Sequence, residues 1–506
     1  MKKGIQKIKT YVKQQSVFVC SAVLAIILVL WAMLTPASFR HLADSLMTIL
    51  KEDFSWLYLG VMLGFLLFVL VIAFSKYGNI RLGKEDEKPE YGLVSWFAML
   101  FSAGMGIGMV FWSVAEPLSH YADPMKGIEA GSEEAIYFAV RSCFMHWGMH
   151  PWGCYAVMGL ALAYFQFRRN KSVLVSNMLA PLFGSKGKTP RGLSCVVDTY
   201  TVLLTVIGVA TSFGMGCLQI SDGLDYLFGI PNTLVTWIVI IAAVSCIYIR
   251  SALSGIGKGI KRLSNMNLVL FVVLLVLAFF AGEKSETLRL LVTGLKDYLV
   301  NFFPDSLRLT SQGDGSWIQN WRVFYWAWWL SWAPFVGIFI ARISKGRTIR
   351  EFVLGVVIVP TLVSVIWFSV FGQLAFYAAG NFSSAQLDAL TASPETALFR
   401  ILQQYSQGIV LCLIAMCLLF TFFVTSADSA TYVLAMSSSD GDPEPVKWKK
   451  IFWGILIAVL ALALILSGEI SVIQTVAIVI AFPYLFFLIT VGVSLVIDMV
   501  CQEKKK

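Results

Sequence analysis

Roughly twelve stretches of about 20 mostly apolar residues, centred near 27, 65, 107, 153, 208, 241, 273, 334, 364, 416, 459 and 485, fill almost the whole chain. Each is long enough to cross a bilayer as a helix, and the hydrocarbon core admits only helices and closed barrels. The chain is therefore expected to be an all-α, polytopic membrane protein with no separate soluble domain. Composition agrees: 58% of the 506 residues are hydrophobic and 14% are charged, against about a quarter charged in soluble chains. Mean hydropathy is +0.76. The first stretch, SVFVCSAVLAIILVLWAML, exceeds a signal h-region and is followed by no A-x-A-like site, so it is read as a retained span.

Short basic loops set the expected orientation. The amino terminus MKKGIQKIKTYVK, the loops KYGNIRLGKEDEK, FRRNKS, SKGKTPRG, IRSALSGIGKGIKR, RISKGRTIRE and PVKWKK, and the terminal CQEKKK are all Lys- or Arg-rich. The opposite loops SDGLDYLFGIPN and AGNFSSAQLDALTASPE contain neither residue, and KGIEAGSEE and GEKSETLRLL mix bases with acids. Twelve spans with both termini cytoplasmic fit this bias. The +9 net charge then reflects topology rather than nucleic-acid binding. Nine scattered cysteines without a CxxC pair suggest neither a disulfide frame nor a zinc site. His146 and His150 are spaced i, i+4 as if on one helix, but no HExxH pattern accompanies them, so packing or hydrogen-bonding roles are expected.

Three features interrupt the apolar runs. SAGMGIGMVFW places Gly104, Gly106 and Gly108 mid-span, each costing about 1 kcal/mol relative to alanine in a helix interior. Such a segment serves either as a close-packing face or as an unwound stretch whose free backbone groups meet an ion or an anionic group. In HWGMHPWGCYAV, Pro151 is expected to kink a long span beside Trp147, Trp152 and Tyr155. In WRVFYWAWWLSW, Tyr325, Trp328, Trp329 and Trp332 follow i, i+3, i+4, i+7 spacing and form one aromatic stripe. An interfacial belt accounts for Trp321 and Tyr325, but Trp147, Trp152, Trp329 and Trp332 lie nearer mid-span. Ring faces there suit a quaternary ammonium group, which has no N–H to donate and binds by cation–π attraction. A further segment, CLLFTFFVTSADSAT, brings Thr425 and Ser426 into an apolar helix, where they either bond back to the preceding turn or supply oxygens to sodium.

These residues carry a resemblance. GMGIG with VAEP, HWGMHPWGCY, FYWAWWLSWAPFVGIFIARISKGRT and VTSADSAT are similar to the betaine/carnitine/choline transporter family, over nearly the whole chain. The resemblance implies a LeuT-like, sodium-symporter fold of two inverted five-helix repeats preceded by two extra helices. The corresponding regions are 1–90 (tail and two extra helices), 91–284 (first repeat), 285–320 (extracellular connection), 321–500 (second repeat) and 501–506 (short tail).

It also implies a homotrimer in a bacterial cytoplasmic membrane, alternating access, no enzymatic activity and no cofactor beyond sodium as the coupling ion. By resemblance, an aromatic box of Trp147, Trp152, Tyr155 and Trp329 holds the ammonium of glycine betaine. Backbone of Gly104, Met105, Gly106 and Gly108 meets its carboxylate, and Trp328, Trp332 and Phe335 line the cytoplasmic path. Sodium is expected at backbone oxygens near Ser102, Met105 and Phe422 and at the hydroxyls of Thr425 and Ser426.

Gly108 resembles sodium-coupled betaine carriers; proton-coupled choline members tend to carry an acid there, and sodium-independent carnitine exchangers lack GMGIG. The family's second sodium site uses two threonines one turn apart, whereas Thr205 here is followed by Val209, which argues against that site. The chain stops at CQEKKK, so regulation by a long charged tail is not expected. Alternative cargoes are choline, carnitine and ectoine. An embedded enzyme would need titratable groups at one depth, and Glu116, Arg141, Asp198 and Asp428 look scattered; a channel would need a repeated filter or charged rings.

Overall fold

A computed structural model describes residues 15–104, 106–184, 187–254, 259–308 and 315–503. Among these residues every extended regular element is helical, apart from an isolated bridge between Arg81 and Thr348. Ten helical stretches are long and apolar enough to cross a membrane. They comprise α1 (Ser16–Leu34), α2 (Pro36–Phe74), α7 (Arg191–Phe228), most of α8 (Leu234–Ser254) and α9 (Gly259–Ala281), α11 (Phe324–Ile343) with its lead-in from Gly315, α12 (Ile349–Ala379), α15 (Gly408–Ser437), and two stretches of α16 (Lys447–Glu503).

The two apolar runs centred near 107 and 153 are each two half-helices. The first is α3 (Leu93–Gly104) followed by α4 (Ile107–Ala122); the second is α5 (Glu133–Trp147) followed by α6 (Met149–Ala163). α3, α4 and α5 hold 16 residues or fewer, too short to span a hydrocarbon core of about 30 Å alone, whereas α6 continues without a break through a π-helical turn to Arg168.

Local signals explain the ends. Ser132 caps α5 by accepting from the Ala135 N–H, with Glu133 and Glu134 in the first turn beside the positive helix end. Thr348 and Glu351 form a capping box at the start of α12. Gly229, in the left-handed region at φ 68°, closes α7. The second break differs from the expectation of a kink at Pro151. It falls at Gly148, and Pro151 sits in the first turn of α6, where its missing N–H needs no helical partner. His146 and His150 consequently lie on different half-helices, not one turn apart on the same one.

α16 is assigned helical throughout yet carries two separate apolar stretches, Lys447–Ser467 and Gln474–Gln502. Lys449 donates to the Ser438 carbonyl, Gly441 packs on Ser172, and Ser494 donates to the Met178 carbonyl. A straight helix would separate Lys449 from Ser494 by about 67 Å, beyond the reach of those linked contacts. The segment therefore doubles back between its two apolar stretches.

Burial sorts the helices into an inner and an outer group. The most apolar stretch of α7 is 100% buried and that of Gly315–Ile343 is 94% buried, whereas those of α8 and α9 are 22% buried. The tryptophan helix and α7 thus form the centre, with the half-helices packed on them, and α8 and α9 present apolar side chains to the surroundings.

Candidate functional site

The break between α3 and α4 exposes a helix start at the centre of the molecule. Gly106 precedes α4 with φ −141° and ψ −149° and has no side chain to cap it; the Met109 N–H turns back to the Gly106 carbonyl at 3.2 Å, which leaves the N–H groups of Ile107 and Gly108 as the uncapped start of the helix. Gly106, Gly108 and Met109 line a cavity together with Trp147, Ser212, Trp328, Trp329 and Trp332, with room for little more than one water molecule. Glycine at 108 is a steric requirement. An added Cβ would lie 2.4 Å from Cη2 of Trp328 and 3.4 Å from Cη2 of Trp147.

The aromatic residues named from the sequence do come together. Trp147 meets Trp329 edge-on with centroids 4.9 Å apart, and Trp328 stacks on Trp329 at 4.9 Å and 15°. Tyr155 meets Trp329 at 6.1 Å, and Trp152 meets Tyr155 at 5.6 Å, both nearly perpendicular. Trp152 and Tyr155 join the group through Trp329 and are not among the residues lining the cavity. Trp328 and Trp332, expected on the path, line it directly, and Phe335 packs on Trp332 at 5.5 Å. All seven are buried.

The break between α5 and α6 anchors this cluster. With the helix interrupted at Gly148, the His146 carbonyl accepts from Nε1 of Trp329 at 2.8 Å. Trp332 likewise donates through Nε1 to the Gly208 carbonyl of α7 at 3.0 Å. These bonds fix two indoles through their ring edges, without engaging their faces.

On the other side of α4, an added Cβ at Gly106 would lie 3.4 Å from Oγ of Ser426. The glycine break and the hydroxyl pair of α15 are therefore neighbours. Thr425 Oγ1 donates back to Thr421 O (3.0 Å) and Phe422 O (3.2 Å) and accepts from Nδ2 of Asn267 on α9 at 2.9 Å. Oδ1 of Asn267 is buried without a partner, and the amide's two ends are interchangeable by a flip. Met105 lies outside the described residues, as do the side chains of Ser102 and Gly104's surroundings. Thr205 donates to Thr201 O at 2.8 Å, one turn back along α7.

Sequence reasoning missed several participants. Ser212 reaches the cavity from α7, and Asn267 is one of two asparagines at the start of the run NMNLVLF. Tyr325 is not a belt residue: it is fully buried, stacks on His146 at 4.6 Å and 16°, and donates to Oε2 of Glu116. Glu116 also contacts Nδ1 of His146 (2.7 Å), Nε2 of His120 (3.3 Å) and Nε1 of Trp147 (2.7 Å). Glu116, His120 and His146 offer atoms within 4.8 Å of one another, the grouping a metal would need, though here they bond to each other. His150 pairs with Ser306 at 2.9 Å.

Comparison with known proteins agrees with the geometry. The pattern of BCCT, betaine/carnitine/choline family transporter, matches residues 16–504. The glycine betaine transporter OpuD of Bacillus subtilis (strain 168) is 44% identical over 471 residues, covering 92% of this chain and 91% of that protein. A probable glycine betaine transporter of Desulfitobacterium hafniense (strain Y51) is 40% identical, with 98% of each chain covered. The ectoine/hydroxyectoine transporter of Virgibacillus pantothenticus is 39% identical, with 97% of each covered. The chain belongs to the betaine/carnitine/choline transporter family, and it is a multi-pass membrane carrier rather than an enzyme.

Proposed function

From that membership we propose that the protein imports glycine betaine, or a similar quaternary ammonium solute, by sodium symport with alternating access. The observation that carries the substrate reading is the shared cavity: indoles from two helices, α5 and α11, border the same space as Gly106 and Gly108 at the start of α4. A zwitterion with a trimethylammonium at one end and a carboxylate at the other fits both. The relatives named as glycine betaine transporters support the same cargo.

The cavity's small size belongs to a closed site, so the indoles part to admit a trimethylammonium group. Two gates alternating around a central site achieve this. The ten long helices and two broken ones make twelve crossings, arranged as two five-helix inverted repeats after α1 and α2, with both termini cytoplasmic and three copies assembling in a bacterial plasma membrane.

Sodium binds where the α3–α4 break meets Thr425 and Ser426. There it holds the two elements together from the outside, before substrate arrives. A tenfold gradient and 100 mV give about 1.4 and 2.3 kcal/mol per ion, enough for several-hundredfold accumulation. Thr205 lacks a second threonine one turn on, so no second sodium of that construction is included. The other reading, a carrier of ectoine, rests on the Virgibacillus relative; proton-coupled choline and sodium-independent carnitine transport are its further variants.

The test is uptake of radiolabelled glycine betaine into proteoliposomes, with an inward sodium gradient and with sodium replaced by potassium. Accumulation only with sodium, lost in Trp329→Ala and Thr425→Ala, is the expected result. Uptake that ignores sodium and follows a proton gradient or preloaded substrate overturns the coupling, and saturable uptake of ectoine alone overturns the cargo.

A further inference from the structure

Glu116 is the most heavily contacted buried acid in the described chain, and neither the cage nor the ion site accounts for it. It sits on α4, ten residues past the glycine break, and its side chain is fully buried. Oε2 accepts from Nε1 of Trp147 at 2.7 Å and from the Tyr325 hydroxyl, and Oε1 faces Nδ1 of His146 at 2.7 Å and Nε2 of His120 at 3.3 Å. Indole N–H can only donate, and hydroxyl and imidazole can do so too, so the group that suits all four neighbours is the acceptor-only carboxylate. Its contacts join three places: α4 after the first break, where His120 lies one turn on, the end of α5 at the second break, and the start of the tryptophan helix.

We propose that Glu116 is a positioning residue for the cation cage: its carboxylate fixes the Trp147 indole through the N–H and sets a negative charge at the N–H edge of that ring. The cavity lies at the other edge of the same indole, whose Cη2 approaches Gly108. An anion bonded to the N–H in the ring plane makes the ring a better cation binder in two ways. It pushes π-density towards the rest of the ring, and in a dry interior its own field reaches across one ring with little screening. Charge-assisted bonds are about twice as strong as neutral ones, so the indole is also held in one orientation. Tyr325 donates to the same oxygen, stacking on His146 at 4.6 Å and meeting the Trp147 indole edge-on at 5.7 Å. Arg322 is buried over the Trp317 ring at 5.5 Å and donates to the Asp305 carbonyl. Among the described residues Glu116 pairs with no lysine or arginine, and its two imidazole neighbours, His146 and His120, offset its charge only when protonated.

This inference rests on the quaternary ammonium reading, and two measurements separate the fates of the two. The first is betaine uptake kinetics of Glu116→Gln, which keeps shape and one acceptor oxygen, and of Tyr325→Phe, which removes only a hydroxyl outside the cavity lining. Glu116→Gln is expected to raise KM about tenfold, with maximal rate held within about twofold, and Tyr325→Phe to raise KM about threefold. Glu116→Gln added to Trp147→Phe, where no N–H remains, is expected to raise KM less than about threefold further. Full additivity in the double variant, or a fall in maximal rate with KM unchanged in both single variants, overturns the proposal. Should Glu116→Gln fail to reconstitute, Tyr325→Phe carries the kinetic test alone, and an unchanged KM there overturns it.

The second measurement needs no substrate. In 15N-tryptophan-labelled protein the Trp147 indole N–H resonance, assigned through Trp147→Phe, is expected downfield and to move upfield in Tyr325→Phe or Glu116→Gln. No movement overturns the proposal even where betaine is transported. Movement in a wild-type protein that takes up no betaine leaves the hydrogen bond standing and removes the functional reading instead.

Discussion

The two broken helices place opposite backbone groups at the centre and use them differently. At Gly106 the break leaves an uncapped helix start, and Gly106 and Gly108 border the cavity there. At Gly148 it leaves a helix end, and the freed His146 carbonyl is already taken by the Trp329 indole. The first break has no side chain seated on it, whereas the second is consumed in holding a tryptophan of the cavity wall. An interruption is thus not in itself a binding site; what matters is whether a side chain from another helix has satisfied it.

This contrast can be broken most sharply at the glycines. Gly148→Ala would place a Cβ 2.3 Å from the Phe144 carbonyl oxygen and 3.0 Å from the Tyr298 hydroxyl. Because the closest atom is backbone, the whole second break must shift. Loss of about 3 kcal/mol or more is expected, read as a lower unfolding temperature in detergent and no uptake. Gly108→Ala meets a side chain instead, Cη2 of Trp328 at 2.4 Å. The fold is expected to survive with near-unchanged unfolding temperature while the cavity is crowded, weakening betaine binding by about a hundredfold. If Gly108→Ala unfolds the protein as readily as Gly148→Ala, the two breaks do not differ in the way described.

Smaller effects sharpen the same contrast. Trp329→Phe keeps a ring face but leaves the His146 carbonyl without its donor, costing about 1 to 3 kcal/mol between binding and stability; betaine titrations by intrinsic fluorescence should show KD rising about tenfold. Pro151→Ala should do least. Its position in the first turn of α6 makes the proline's missing N–H irrelevant, so uptake is expected within about twofold of the parent. A large loss there would mean that the break depends on Pro151, as the sequence suggested, and not on Gly148.

Much of this site could be read before the fold was known, for reasons that differ by residue. Indoles at mid-span and glycines at every second position are anomalous on their own, because apolar burial explains neither. The position of the second break was misread since proline is the stronger local signal; only the backbone shows that Gly148 takes the non-helical conformation and leaves Pro151 harmlessly in a first turn. Tyr325 looked interfacial because its partners Glu116 and His146 are 209 and 179 residues away in sequence. Asn267 and Ser212 were passed over for the same reason, since their partners lie on other helices and no local pattern marks them. The ten long helices followed from length and apolarity alone, whereas the pairing of half-helices into a shared centre depends on contacts that no periodicity encodes.

The central claim is division of labour across one cavity: rings read the cation and the α4 start reads the carboxylate. The most direct measurement is competition against radiolabelled glycine betaine by its two half-analogues, choline, which lacks the carboxylate, and 3,3-dimethylbutyrate, which has carbon in place of the charged nitrogen. Each is expected to compete at least about tenfold more weakly than unlabelled betaine, with Gly108→Ala and Trp329→Phe both weakening betaine itself. If either half-analogue competes as well as betaine, one end of the cavity contributes nothing to recognition and the account is wrong about that end.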